Sequence, residues 1–296
     1  MTGVLRIMRE RFFPASSPRV QVLSDLHLEV GQQYSSYTFL ASAPLLLLGG
    51  DIGRLKDYDG YLHFLHAQAM RYIKVFLVLG NHEFYDLEYE KGLALARRLV
   101  AEHSLADKVV LLHRAQWDDP DSNLTIIGCT LWSALPRDVH EVVASKISDF
   151  KKIQQWTPER HNQVHTDEVA WLRERVATLQ SVDDGSRRRL LIATHHAPCV
   201  EGTSWPEHTA NPWTAAFATD LLQQPGVWDG VRAWVFGHTH YSTAFLHEGI
   251  RVVANQRGYV LPGSVAARGE EAERRKRKKK KKPDSHEFDA TRCISV

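Results

Sequence analysis

Five short motifs place chemically active side chains along the chain: Asp25-Leu26-His27, Gly50-Asp51, Gly80-Asn81-His82-Glu83, Thr194-His195-His196 and Gly237-His238-Thr239-His240. Singly each is weak, because Asp, Asn and Gly populate turns for local hydrogen-bond and backbone reasons. A His-x-His pair at a strand end says more: side chains alternate with period two, so both imidazoles fall on one face. Two aspartates, one amide oxygen and four or five of the six imidazoles in these motifs are enough donors for two neighbouring transition-metal ions. Gathering so many desolvated polar groups without a cation would be costly.

The motifs need a scaffold that delivers them to one edge, and apolar runs supply it. Runs 19–24, 45–48, 75–79 and 190–193 each lead into a polar or glycine-bearing turn that carries a motif, as buried strands do. Shorter strands are expected over 109–112, 124–129, 233–236, 243–246 and 251–253, and helices over 61–72, 87–102, 158–179 and 214–223. The third helix opens well: Thr157 can cap it, Pro158 suits its first position, and Glu159 complements the positive end of the dipole. Strands alternating with helices, followed by a run of strands, argue an α/β protein. The expected architecture is a four-layer sandwich, two mixed β-sheets face to face and flanked by helices.

In the order DxH, GD, GNH[ED], H, GHxH, the five blocks resemble the calcineurin-like metallophosphoesterase superfamily over about residues 20–259, with Glu83 where Asp is commoner. The resemblance implies a metallo-dependent phosphatase-like fold and a hydrolase of phosphate esters, a phosphodiesterase or a phosphomonoesterase, that uses a bridging hydroxide at a dinuclear metal site. Carried over residue by residue, Asp25, His27 and His240 would hold one metal, Asn81, His195 and His238 the second, and Asp51 would bridge both. His82 would be the catalytic histidine, contacting the phosphate and protonating the leaving oxygen. Thr194 favours His195 over His196 as the ligand, which leaves His196 as a substrate contact or a supporting histidine. Nitrogen and oxygen donors without thiolate favour manganese, iron or zinc. The alternatives are a nuclease of the same superfamily and a non-catalytic scaffold that retains the fold. The intact ligand set with His82 argues against the scaffold.

The aromatic, Pro-rich stretch 197–217 follows the fourth block and is expected to loop over the centre. It offers Trp205, His208, Asn211 and Trp213 as candidate substrate contacts, and Arg257, after the last strand, is another. Residues 130–156 show little periodicity and read as an inserted wall holding Trp132 and Phe150.

At 296 residues and 43% hydrophobic, the chain can bury a sizeable core. Three parts are expected: an N-terminal extension over 1–17, a metallophosphoesterase domain over 18–265, and a disordered basic tail over 266–296. The net charge of +2 hides an asymmetry, since the run 274–282 (RRKRKKKKK) holds nine of the 37 basic residues. Without it, 28 basic residues face 35 acidic ones, so the body is acidic. An acidic body and a basic run without interleaved aromatics argue against nuclease action and against sequence-specific nucleic acid as a partner. The expected partner is a phosphate-ester substrate. No apolar run approaches the roughly 20 residues that span a bilayer. No secretory pattern opens the chain, and the scattered Cys129, Cys199 and Cys293 suit a reducing compartment rather than a disulfide framework. The expectation is an intracellular, cytoplasmic protein with 274–282 as a candidate nuclear address.

Overall fold

A computed structural model describes residues 18–181, 188–208, 211–224, 226–261 and 286–296. The expected N-terminal extension, most of the polar turn at 183–189 and the basic run 274–282 lie outside these described residues.

Strands β1 (Arg19–Leu23), β2 (Leu45–Gly49), β3 (Lys74–Val78) and β4 (Val109–Leu111) pair in parallel, and β11 (Cys293–Ser295) runs antiparallel to β1, giving the order β11-β1-β2-β3-β4. The second sheet contains β5 (Ala115–Asp118), β6 (Leu124–Gly128), β7 (Arg189–Ala193), β8 (Val231–Phe236), β9 (Thr243–His247) and β10 (Ile250–Ala254). Its order is β5-β6-β7-β8-β10-β9, parallel in the centre with antiparallel strands at both edges.

The central strands are apolar on both faces, and the two-residue alternation explains why. In β2, Leu45 and Leu47 join Val20, Val22, Leu191, Ala193 and Val235 between the sheets. Leu46 and Leu48 point the other way, toward Phe64 and Leu65 of helix α1 (Tyr58–Ala69) and Leu93 and Ala96 of α2 (Tyr89–Val100). Two short helices, α3 (His140–Lys146) and α4 (Asp149–Lys152), lie within the stretch that had shown little periodicity. The long helix α5 (Pro158–Gln180) covers the second sheet, its Leu172 and Val176 meeting Leu190 and Ile192. Thr157 caps α5 by accepting the Arg160 N–H at 3.2 Å. The layers are therefore helix, sheet, sheet, helix, as the sequence predicts. Among the described residues no helix is long and apolar enough to cross a membrane.

Two expectations are corrected. The helix over 214–223 reduces to a single turn at Thr214–Ala216. Beyond it the backbone pairs elsewhere: Ala197 N–H donates to Phe217 O and Thr219 N–H to Ala197 O, both at 3.1 Å, which removes these groups from any helical ladder. The tail over 266–296 is not wholly outside the fold. Its last residues form β11, Ile294 and Val296 enter the core between the sheets, and Asn255 exchanges hydrogen bonds with the Asp289 backbone at 2.8 and 3.0 Å. A three-residue edge strand after a charged run carries too little periodicity to be read locally.

Candidate metal centre

The turns after β1, β2, β3, β7 and β8 bring the five motifs together at one end of the two sheets. Parallel pairing continues into the turns, with Asp25 N–H donating to Gly50 O at 2.9 Å and His27 N–H to Asp51 O at 3.0 Å. The sheets are joined at this end, where Ser24 N–H donates to Asn255 O and Gly258 N–H to Asp25 O, each at 3.0 Å. Five of the seven candidate ligands have positive φ: Asp25 (52°), His27 (47°), Asp51 (51°), His238 (73°) and His240 (50°). This backbone region is disfavoured for side chains other than Gly, and such strain collects where the surrounding structure holds a functional geometry. Gly50, at φ 89°, and Gly80 leave room for these side chains, since a Cβ on either would overlap His195.

Among the described residues three donor groups result, with the ligand atoms of each within 4.8 Å of one another. Asp25, His27 and His240 form the first cluster and Asp51, His195 and His238 the second; in the third, which shares His27 with the first, Glu29 already pairs with the Nδ1 atoms of His27 and His82. His27 Nε2 and His240 Nε2 approach to 2.9 Å, a contact that needs a proton or a cation between the two nitrogens. Asp51 lies between the clusters: Oδ1 is 3.4 Å from His195 Nε2, and Oδ2 is 3.9 Å from His27 Nε2. Asn81 Oδ1 completes the second group at 3.0 Å from His195 Nε2.

The remaining polar atoms of these side chains are committed, which fixes what each presents. His195 Nδ1–H donates to Gly49 O at 2.9 Å, so Nε2 is the ring nitrogen left to face the cluster. His27 Nδ1–H donates to Glu29 at 3.2 Å, with the same result. Asn81 Nδ2 donates to Asp149 Oδ1 at 2.7 Å, so its oxygen faces the cluster. Burial would raise Asp51, but His195, His82 and His27 around it hold it well below the usual carboxylate range. Burial and the neighbouring imidazole of His195 push His238 well down, so it presents a neutral ring. Neutral imidazoles and ionised carboxylates are the forms that bind metals. The residues fit divalent transition-metal ions, and no cysteine belongs to either cluster.

His82 borders both groups without belonging to either metal set. Its Nδ1 contacts Glu29 Oε1 at 2.9 Å, and Tyr259 OH lies 3.0 Å from its Nε2. Burial opposes charge on His82, but Asp51 and Glu29 outweigh it and raise its pKa. Glu29 itself falls to about 2, because hydrogen bonds from His27 and His82 overcome the opposing effect of burial.

An open cleft of about 640 Å³ leads to the centre, with Asn81, His82, His238 and His240 at its floor. Trp205, His208, Asn211 and Trp213 line it. His196 and Arg257 do not. The ring of His196 is fully buried against His238 and Trp132, with centroids 4.1 and 5.4 Å away. Neither of its nitrogens has a hydrogen-bond partner among the described residues. Next to His195 the chain turns its side chain inward, which removes it from substrate. Arg257 donates to Leu26 O at 3.0 Å and Gln33 Oε1 at 2.8 Å and lies over the Tyr37 ring, so it braces the loop after β1.

The calcineurin-like phosphoesterase profile matches residues 18–242. The chain belongs to that family. An uncharacterized protein of Acanthamoeba polyphaga mimivirus is 28% identical over 262 residues, covering 81% of this chain and 91% of that protein. The phosphopantetheinyl hydrolase of Mycobacterium tuberculosis shares the fold, with a TM-score of 0.61 at 19% identity over 82% of this chain and 90% of its own. A dimetal phosphatase from Danio rerio matches at a TM-score of 0.47 and 13% identity, over 81% and 88% of the two chains.

In this family member several supporting residues escape a motif reading. Glu29 follows His27 by two positions, and that spacing is its local signal. Tyr85, Asp149 and Tyr259 have none. Glu83 is not a ligand. Buried completely, it accepts from Gly80 N and Asp51 N through Oε2 at 2.7 and 3.0 Å, and from Ile52 N and Tyr61 OH through Oε1 at 2.9 and 2.8 Å. Burial and Asp51 push its carboxyl up to about 7 against the pull of these donors. Glu83→Ala strands four buried donors and is expected to cost ~3 kcal/mol or more, seen as a lower melting temperature. Glu83→Gln should also destabilise, because its NH2 must face donors at one end. A wild-type melt for both variants would refute this clamp.

Proposed function

We propose that the chain is a dinuclear metal-dependent hydrolase of phosphate esters. The observation that carries the reading is the position of Asp51, buried beneath an open cleft lined by Asn81, His238 and His240, with one oxygen toward His195 and the other toward His27. Asp25, His27 and His240 would hold one ion, Asn81, His195 and His238 the other, and Asp51 would bridge them. Manganese, iron or zinc suits these donors. When bound, such ions neutralise phosphoryl charge and supply a nucleophilic water at neutral pH.

The chain's own residues do the rest. Gly49, Glu29 and Asp149 hold His195, His27 and Asn81 in their binding orientations before any ligand arrives. His82, steadied by Glu29, points Nε2 into the cleft floor beside Tyr259 OH. In its charged form it donates to a phosphoryl oxygen and then gives its proton to the departing alkoxide. Lys146 is the one Lys or Arg among the described residues that line the cleft, a poor match to the basic groove a duplex needs.

Parallel assays of bis(p-nitrophenyl) phosphate and p-nitrophenyl phosphate with added Mn test the proposal. Turnover that chelation abolishes and Mn restores is expected, and the preferred ester separates diesterase from monoesterase. A folded, Mn-binding protein that cleaves neither ester, nor an alkyl phosphate, would contradict it.

Metal binding should depend on pH. Burial disfavours a charged His195, but Asp51 and Asp25 raise it to about 10. Below that value a cation must displace the proton on His195. Mn affinity at the second cluster is therefore expected to rise with pH, by up to about tenfold per unit. Calorimetric titrations at about pH 6.5 and about pH 8 read this directly, and equal affinities would contradict the assignment of His195.

A further inference from the structure

The reacting phosphate accounts for only the floor of the cleft. One of its walls comes from a single segment, which carries Trp205, Trp213 and Phe217. The Phe217 ring stacks on the candidate ligand His238, with centroids 4.8 Å apart and planes at 29°. Aromatic surface therefore begins at the centre itself. Trp205, 41% exposed, carries it to the rim. Trp205 makes an edge contact with Tyr241 at 4.9 Å and 63°, which steadies the ring while leaving much of it uncovered. Tyr259, whose OH meets His82, is 48% exposed in the same cleft. Leaving large aromatic surface in water beside a reaction centre forgoes burial that the fold could have taken. A ligand with a flat face would recover it.

Charge points the same way. Lys146, exposed at the end of α3, lines the cleft without an acidic partner among the described residues. The acidic lining residue, Asp149, has Oδ1 engaged by Asn81 and Tyr85 at 2.7 and 2.8 Å. A volume of about 640 Å³ accommodates more than a phosphate and a sugar.

Resting on the proposed phosphoesterase reading, we infer that the substrate is a phosphate ester whose organic part carries a flat aromatic ring, of the nucleotide type, stacked on the Trp205 wall. The wall selects the ring through its faces rather than its edges, so different bases are accepted with modest preferences.

The test separates the ring from the ester. Adenosine 5′-monophosphate and ribose 5-phosphate share the same primary phosphate ester and differ by the base. Calorimetric titration into Mn-loaded protein carrying His82→Ala reads binding with turnover slowed, and both ligands lose the same phosphate contact there. The nucleotide is expected to bind about tenfold tighter or better. Adding Trp205→Ala should remove that preference and leave ribose 5-phosphate binding unchanged, while Trp205→Phe should keep most of it. Equal binding of the two ligands overturns the inference, as does a Trp205→Ala variant that weakens both alike. Hydrolysis of simple esters by the wild type without any preference for the nucleotide sinks this inference and leaves the phosphoesterase reading intact. A nucleotide preference that depends on Trp205, in a protein that hydrolyses no phosphate ester, supports the wall and sinks the hydrolase reading instead.

Discussion

Asp51→Asn is expected to reduce Mn-dependent turnover of p-nitrophenyl phosphate esters by on the order of a thousandfold or more. Bound Mn should fall from two ions per chain toward one. The reason is geometric. Asp51 Oδ1 lies 3.4 Å from His195 Nε2 on one side, and Oδ2 lies 3.9 Å from His27 Nε2 on the other. An amide of the same shape can offer an oxygen to one side only and must turn its NH2 toward the other, where it repels a cation. Oδ1 also accepts the His82 backbone N–H at 2.9 Å, so the amide oxygen has a reason to stay on the His195 side and the first cluster should lose its share. Metal stoichiometry by atomic absorption, taken on protein with a native circular dichroism spectrum, reads the effect apart from activity. Two Mn and wild-type turnover in the variant would remove Asp51 from the bridging role.

His82→Ala should behave differently. Turnover is expected to fall about 10²–10⁴-fold, the usual contribution of a positioned acid, while Mn stoichiometry stays at the wild-type value. The side chain reaches the cleft with Nδ1 held by Glu29 at 2.9 Å and is not needed by either donor cluster. The loss should also depend on the leaving group. A p-nitrophenolate departs without a proton, whereas an alkoxide needs one, so alkyl phosphates should suffer more than aryl phosphates. A uniform loss across leaving groups would restrict His82 to binding the phosphoryl oxygens. A drop in bound Mn would make it a ligand.

Much of this centre was legible in the chain. The five motifs named every donor in the two clusters, because each motif sits one or two residues beyond an apolar run, and buried parallel strands deliver such turns to one edge. The four layers were legible for the same reason: strands apolar at every position must be covered on both faces. Some short pieces were not. Strand β5, strand β11 and helix α4 have three or four residues each and mix polar with apolar side chains, whereas the equally short β4 is wholly apolar and was expected.

The sequence by itself determined which atoms could bind metal. Only the tertiary structure decided how those atoms are turned. Asp149, 68 residues from Asn81, selects the amide oxygen rather than the nitrogen for the cluster. Glu29 ties His27 and His82 together, and Tyr259, 177 residues away from His82, meets its other ring nitrogen. His196 is turned into the interior and Arg257 into a brace, although the sequence offered both to the substrate. Periodicity records which face of an element a residue occupies, since that follows from local backbone geometry. The orientation of a buried polar group follows from the partners that distant segments bring to it, because each unpaired polar atom there costs free energy.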